Sequence, residues 1–229
     1  GANDSIMYFT GRNRKDNLGQ EDVYMSKRTQ QGWQAAQLVK GINTANGYES
    51  PMALSVDGTT LLLFKNGGMC VTNKSTKGWT TPTPLPDELN NAKWQSDAMI
   101  TSDGKAMLFA ASKKNLSEYQ QSNNVYEASN IFVSIMDSNG VWSEPIDLGP
   151  TINTPFCDRS PVLHPDMKTL YFCSEGHGTL GDLDVFKSTR IYEDSWTDWT
   201  TPVNIGKEIN SVDLDCWYRI STDGKKAYF

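Results

Sequence analysis

The sequence has few of the residues that metal sites and nucleophilic active sites require. Its 229 residues include only two histidines and four cysteines, and no C-x-x-C pair occurs. Zinc-ribbon and thioredoxin-type sites are therefore excluded. Because the cysteines do not recur at matching positions of the repeat described below, free thiols are favoured over disulfides. We predict no catalytic residue, no metal site and no cofactor.

Long apolar runs and clustered cations are also missing. The longest apolar run, 61–64, is far shorter than the about 20 residues that span a bilayer, so no membrane span is predicted. There are 21 Lys and Arg residues against 27 Asp and Glu residues, a net charge of −6. No run of cations exceeds two residues, which excludes nucleic acid as a partner, because binding nucleic acid requires phosphate neutralisation. No stretch keeps a 3.6-residue apolar period over about twelve residues, so almost no helix is expected.

The sequence does contain an internal repeat with two anchors. The first anchor is a turn aspartate followed by a short apolar strand, found at Asp57, Asp103, Asp166 and Asp223. The second is a tryptophan followed ten or eleven residues later by an asparagine, in the pairs Trp33 and Asn43, Trp79 and Asn90, Trp142 and Asn153, and Trp199 and Asn210. Each tryptophan lies 24 residues before the next turn aspartate, and all length changes fall elsewhere. The repeat therefore has one rigid segment and one variable loop.

Each repeat contains four short strand signals, named here a to d. Strand a precedes the turn aspartate, strand b follows it, strand c alternates aliphatic and aromatic residues, and strand d follows the tryptophan. Asp-Gly between a and b is a strong hairpin signal. This size and strand count match propeller blades. We predict an all-β propeller of four-stranded antiparallel blades, five in number with partial terminal blades. The chain is expected to be one domain, 1–229, with repeats at about 1–48, 49–94, 95–157, 158–215 and 216–229.

One segment also resembles a known family of repeats. Residues 158–188, with their Ser-Pro, Pro-Asp-Met-Lys turn, Leu-Tyr-Phe strand and Gly-Asp-Leu-Asp-Val-Phe strand, resemble the WD40-like propeller repeat of the TolB type. The resemblance extends to 5–28 and 49–64 but departs at Met167, where glycine is usual, and at 65–79. Such repeats are common in exported envelope proteins of Gram-negative bacteria, often beside an OmpA-like domain. The resemblance therefore implies a periplasmic or outer-membrane-associated protein.

Two classes of function are compatible with these features. The leading one is a non-catalytic binding or scaffold propeller with a protein partner in the cell envelope, or with the cell wall or a glycan as partner. The alternative is a glycan-active enzyme that uses carboxylates at the central channel. Its candidate acids, which all lie just before strand a, are Glu49, Asp158, Asp213 and Asp215. Capping of turns is the favoured role for these acids.

The candidate binding surface combines the variable b-to-c loops with the d-to-a connections. These loops open on one face because the strands alternate in direction. Aromatic side chains interleaved with acids and one arginine are typical of protein or glycan recognition. The candidate partner-binding residues are Tyr48, Glu49, Trp94, Gln95, Tyr119, Tyr126, Phe156, Asp158, Arg159 and Asp215.

Overall fold

The computed structural model describes residues 5–92, 94–112, 129–221 and 223–228. Within these ranges the regular secondary structure consists of β-strands, which confirms the expectation of almost no helix. No helix long and apolar enough to cross a membrane occurs among these residues. The strands are β1 (Ile6–Arg12), β2 (Glu21–Thr29), β3 (Gly32–Trp33), β4 (Gln37–Leu38), β5 (Glu49–Leu54), β6 (Thr60–Lys65), β7 (Gly68–Ser75), β8 (Gly78–Trp79), β9 (Thr83–Pro84), β10 (Gln95–Ile100), β11 (Ala106–Ser112), β12 (Ser129–Ile135), β13 (Ile146–Asp147), β14 (Asp158–Leu163), β15 (Thr169–Ser174), β16 (Asp184–Thr189), β17 (Val203–Asn204), β18 (Arg219–Ile220) and β19 (Ala227–Tyr228).

The chain divides into two compact units, Gly1–Asn90 and Asn91–Phe229. The first unit contains a sheet of β1 to β4 and a sheet of β5 to β9, and the second contains β10 to β13, β14 to β17, and β18 with β19. All strand pairs within these sheets are antiparallel. The fold is the predicted β-propeller, with four blade sheets. The sequence predicts five blades with partial terminal blades, and the fifth sheet, β18 with β19, consists of two strands. The single-domain organisation stays a prediction.

The predicted strand types map directly onto the sheets. Strand a corresponds to β5, β10, β14 and β18, and strand b to β1, β6, β11, β15 and β19. Strand c corresponds to β2, β7, β12 and β16, and strand d to β4, β9, β13 and β17. The first sheet begins on a b strand, as the repeat predicts. The short strands β3 and β8, which pair with the ends of β2 and β7, were not predicted.

The turn between strands a and b has the same hydrogen bonds in each repeat. The carboxylate of Asp57 accepts a bond from the backbone amide of Thr59 at 3.0 Å, and the other turn aspartates bond equivalently at Lys105, Lys168 and Lys225. The next position is left-handed, with φ of 71°, 73° and 69° at the three glycines. In the turn at Asp166, which has no glycine, Met167 adopts a φ of 61°. The departure from the family pattern at Met167 therefore leaves the turn conformation intact.

The asparagine of the second anchor binds the backbone of strand c. Asn153 accepts a hydrogen bond from the amide of Ile131 at 2.7 Å and donates one to its carbonyl at 2.9 Å. The same pair of bonds joins Asn43 to Val23, Asn90 to Met69, and Asn210 to Val185. Because strand d is only two residues long in each sheet, this side chain continues the ladder beyond it.

Each unit buries its own apolar clusters. In the first unit the cluster contains Val23, Val39, Ile42, Leu61, Leu63 and Cys70. In the second unit the larger cluster includes Leu108, Ile131, Leu148, Phe172 and Phe186. A smaller cluster there contains Cys157, Cys173, Leu183, Val185 and Cys216. All four cysteines are free and buried, which confirms the preference for free thiols.

Candidate functional site

The first strand of a blade is bulged close to its start, and the bulge determines where one side chain points. The register shifts between Ser96 and Met99 in β10 and between Arg159 and Val162 in β14. Inside these bulges Asp97 has a φ of 57° and Ser160 a φ of 51°. Left-handed backbone at such residues is uncommon. Strained positions and bulges concentrate at functional sites, because they re-aim side chains.

The same position is left-handed a third time in the second unit. Trp217, just before β18, has a φ of 59°. Asp97, Ser160 and Trp217 each lie six residues before a turn aspartate, so they are equivalent in the repeat. In the first unit the equivalent residue is Pro51, whose ring fixes φ at a negative value. The left-handed position therefore distinguishes the second unit.

A buried ion pair joins two of these bulges. The Asp97 carboxylate accepts hydrogen bonds from Arg159 Nε and Ser160 Oγ, both at 2.8 Å. The side chains of Asp97 and Arg159 are only 8% and 14% exposed. Burial raises the pKa of Asp97, but the charge and hydrogen bond of Arg159 outweigh burial and hold that pKa below its usual range. For Arg159, burial lowers the pKa and the Asp97 carboxylate raises it, with a net rise. Both groups are therefore charged at neutral pH.

Two tryptophans flank the arginine of this pair. The Arg159 guanidinium carbon lies 5.0 Å from the ring centroid of Trp94 and 5.7 Å from that of Trp217. Both distances fall in the cation–π range. Trp94 is buried, whereas Trp217 is 54% exposed. The guanidinium thus has one buried aromatic neighbour and one that is open to solvent.

Three thiols border the ion pair. Cys216 Sγ donates to Ser160 Oγ at 3.2 Å, and Cys173 and Cys157 lie in the same buried cluster. Burial raises the pKa of Cys216, but the Cys173 thiol and the Arg159 charge lower it and prevail. Burial raises the pKa of Cys173 well above its usual value and that of Cys157 to about 11. Cys216 is therefore the most acidic thiol of the cluster.

The predicted acid Asp158 is bound to its own loop. Its carboxylate accepts hydrogen bonds from the amide and hydroxyl of Thr154 and from the hydroxyl of Ser174. The side chain is fully buried. Burial raises its pKa, and these hydrogen bonds offset only part of that rise. Its two oxygens are already engaged, which is the arrangement of a structural cap.

The predicted acids Glu49 and Asp215 are held in the same way. Buried Glu49 accepts hydrogen bonds from Thr44 Oγ1 at 2.6 Å and from Lys65 Nζ at 2.9 Å. Asp215 accepts from the amide of Ser211. The capping role that the sequence favoured is therefore the role that these bonds describe.

The remaining predicted residues are distributed as follows. Tyr48 and Phe156 are 44% and 46% exposed, whereas Gln95 is buried. Tyr119 and Tyr126 lie outside the described residues. Of the predicted set, the structure brings Trp94 and Arg159 into contact.

Sequence reasoning missed Asp97 and Trp217 as members of the site. The constant spacing aligns both with Ser160, so the shared register was available as a signal. The left-handed backbone was not, since neither aspartate nor tryptophan demands it. The pairing of Asp97 with a residue 62 positions away was equally invisible.

Strand c begins with a polar side chain that organises a loop. Asp184 accepts hydrogen bonds from the amide of Leu180 at 2.7 Å and from Asn204 Nδ2 at 2.6 Å. Asn130 at the equivalent position donates to Asp147 at 2.7 Å. No group of three or more His, Cys, Asp or Glu side chains among the described residues could hold a metal ion.

Comparisons with known proteins support the fold class. TolB from Acinetobacter baumannii superposes with a TM-score of 0.55 at 16% identity, over 99% of this chain and 46% of that one. A putative TolB from Agrobacterium tumefaciens superposes with a TM-score of 0.57 at 13% identity, over 98% of this chain and 69% of that one. A periplasmic gluconolactonase from Pseudomonas aeruginosa gives 0.52 at 12%, over 99% and 60%.

This chain thus spans about half the length of the Acinetobacter protein. At these identities the likeness shows the fold alone. No family model and no curated protein matches the sequence. The predicted repeat family is therefore supported as a structural likeness to TolB-like propellers.

Proposed function

We propose that this chain is a non-catalytic binding and scaffold propeller of the bacterial cell envelope, with a protein as its partner. The observation that carries this proposal is the bonding of the acids that a glycan-active enzyme would need. Asp158 and Glu49 are fully buried, and their carboxylates accept hydrogen bonds from the preceding loop and from the neighbouring strand. A hydrolytic pair needs two carboxyl groups that face one ligand space.

A protein partner is also supported by the side chains that are accessible. Trp217 and Phe156 in the second unit are about half exposed and lie close to Arg159 in sequence or in space. Tryptophan and arginine are the residues that most often dominate the energy of protein interfaces. A location in the periplasm or at the outer membrane is supported by the TolB-type repeat and by the likeness to a periplasmic protein.

Site-specific photo-crosslinking would test this function. A photoreactive amino acid replaces Phe156, which precedes β14, or Tyr192, which follows β16 at the other end of the same sheet. Both positions are well exposed, so they are matched for access. We expect a discrete crosslinked protein in envelope fractions from the Phe156 variant and none from the Tyr192 variant.

Three outcomes would overturn the proposal. One is crosslinking from Tyr192 alone, and another is co-sedimentation with purified cell wall without any protein adduct. The third is turnover of a glycoside or an ester that disappears in the variant Asp158→Asn.

A further inference from the structure

The guanidinium of Arg159 has most of its hydrogen-bonding capacity unused. An arginine carries five N–H donors. Within the described residues, only Nε makes a hydrogen bond, to Asp97 at 2.8 Å. The four N–H groups on the two Nη atoms have no partner there. Arg159 is 14% exposed, so these four donors are available to a ligand.

These free donors are reachable from solvent. Among the described residues, no nitrogen of Arg159 is both buried and without a hydrogen-bond partner. The Arg159 nitrogens are therefore not sealed in the interior. The exposed ring of Trp217 lies over the same guanidinium at 5.7 Å. The exposed Trp217 thus adjoins the tip of the arginine, and the space around these two side chains is the candidate site.

The charge around this space favours an anion. Asp97 is the carboxylate bonded to Arg159, and the charge of Arg219 also acts on it, since it contributes to lowering the pKa of Asp97. The charges of two arginines, Arg159 and Arg219, thus act on this one buried carboxylate. Arg219 Nη1 donates a hydrogen bond to the carbonyl oxygen of Tyr218 at 3.3 Å. A carbonyl is neutral, so this bond does not neutralise the charge of Arg219. A carboxylate matches the two parallel N–H groups of a guanidinium in geometry and charge.

The other neighbours are poor partners for a polyhydroxylated ligand. Cys157 and Cys216 belong to a buried apolar cluster, and Trp94 is 5% exposed. The Ser160 hydroxyl already donates to Asp97 and accepts from Cys216. A sugar would therefore leave its hydroxyl groups without partners here. An apolar side chain, by contrast, can cover the exposed face of Trp217.

We propose that Arg159 and Trp217 form a carboxylate-binding site for a peptide segment of the protein partner, with the carboxylate on the Nη groups and an apolar side chain on the Trp217 ring. This inference rests on the proposed function, because it specifies the chemistry of that partner. The carboxylate belongs either to a C-terminus or to an acidic side chain. Asp97 holds the guanidinium in place through Nε and leaves the Nη edge free for the ligand.

Calorimetric titration of the full chain with short Phe-containing peptides tests this site. One peptide has a free C-terminus and no acid, a second is amidated and contains glutamate, and a third is amidated without any acid. Glucuronate serves as the acidic sugar. We expect at least one acidic peptide to bind about tenfold or more tightly than the neutral peptide. The acidic peptide that binds identifies the source of the carboxylate, and its affinity should fall as salt is raised.

Two variants separate the parts of the site. The double substitution Asp97→Asn with Arg159→Gln removes both charges and keeps hydrogen-bonding groups, so no lone charge is buried. Trp217→Gly removes the ring at a position where φ is 59°, which glycine tolerates. We expect the double variant to bind acidic and neutral peptides equally, and Trp217→Gly to weaken both.

The matched control is an arginine and tryptophan pair in the first unit. Arg28 lies 6.0 Å from the ring of Trp33, which is 40% exposed. Trp33→Ala should leave peptide affinity unchanged. Thermal melting of each variant establishes that it is folded, and if the double variant does not fold, Trp217→Gly and the comparison of peptides on the unaltered chain still decide.

The proposal is overturned if acidic and neutral peptides bind equally to the unaltered chain, if glucuronate binds better than any peptide, or if the folded double variant keeps the preference for acid. Its failure is distinguishable from failure of the proposed function. Crosslinking of a partner from Phe156 combined with no acid preference removes only the carboxylate site. A preference for acidic peptides without any crosslinked protein would contradict only the placement of the partner at Phe156.

Discussion

Asn153 holds Ile131 with two hydrogen bonds, accepting from its amide at 2.7 Å and donating to its carbonyl at 2.9 Å. A single side chain thereby does what a neighbouring strand would do for this residue. Both residues are buried, so neither bond can be replaced by bulk water. The third member is Asp147, which accepts a further bond from Asn153 Nδ2 at 2.8 Å.

Asn153→Asp tests this clamp. The new carboxylate can still accept from the Ile131 amide, but it cannot donate to the carbonyl and it faces Asp147. We expect a loss of about 2–4 kcal/mol in the free energy of unfolding, measured with urea. The matched control Asn46→Asp, on an exposed turn, should change it by less than about 0.5 kcal/mol. Equal effects of the two substitutions would show that the two hydrogen bonds from Asn153 to Ile131 do not stabilise the fold.

A second prediction concerns two equivalent polar pairs, in which asparagine and aspartate have exchanged places between strands c and d. Asn130 donates to Asp147 in one sheet, and Asn204 donates to Asp184 at the same register of the next. Asn130→Asp alone places two carboxylates together and should cost about 1–3 kcal/mol of unfolding free energy. Adding Asp147→Asn recreates the other sheet's pair, so we expect stability to recover. A double-mutant cycle with no coupling energy would contradict this equivalence.

The third prediction follows from the raised pKa of Asp158. Burial favours its protonated form in the folded chain, so the stability that it contributes is present below its unfolded pKa and lost as pH rises through the folded pKa. Asp158→Asn lacks this titration. We therefore expect the variant to gain stability relative to the original chain from acidic to neutral pH, in urea unfolding at several pH values. A constant difference across pH would show that the carboxylate is not destabilised by burial.

Thiol labelling provides the fourth prediction. Cys216 has a lowered pKa, while burial raises that of Cys157 to about 11. We expect iodoacetamide to modify Cys216 before Cys157, at a lower pH, as followed by peptide mass spectrometry. Removing the cation with Asp97→Asn and Arg159→Gln should move the pH dependence of Cys216 upward. Faster labelling of Cys157 would be inconsistent with this order.

The fold was largely predictable because its determinants are local and repeated. The turn aspartates and the Trp-to-Asn spacing located the hairpins and fixed which strand is which, since turn chemistry and strand alternation act over a few residues. The anchor asparagines were found by spacing, although their bonds to strand c, about 20 residues away, were not. The short strands β3 and β8 were missed because each ends on an anchor tryptophan, which the repeat places before strand d.

The candidate site was less predictable for a physical reason. The sequence predicts Arg159 and Trp94 as partner-binding residues, but the partner of Arg159 within the fold is set by a long-range contact with Asp97. That contact depends on a backbone conformation that neither residue type prefers. The bonds of Glu49 and Asp158 agree with the capping role that the sequence favours, since each accepts a hydrogen bond from the loop that precedes it.

The left-handed position six residues before Asp103, Asp166 and Asp223 bears on engineering and on divergence. There the left-handed backbone determines the direction of the side chain, while aspartate, serine and tryptophan all occupy the position. Side-chain identity at 217 can therefore be exchanged with little effect on the blade, whereas Asp97 and Ser160 are bonded within the buried ion pair of Arg159. A library at position 217 would alter ligand preference on an unchanged scaffold, whereas position 51 is closed to this use by its proline.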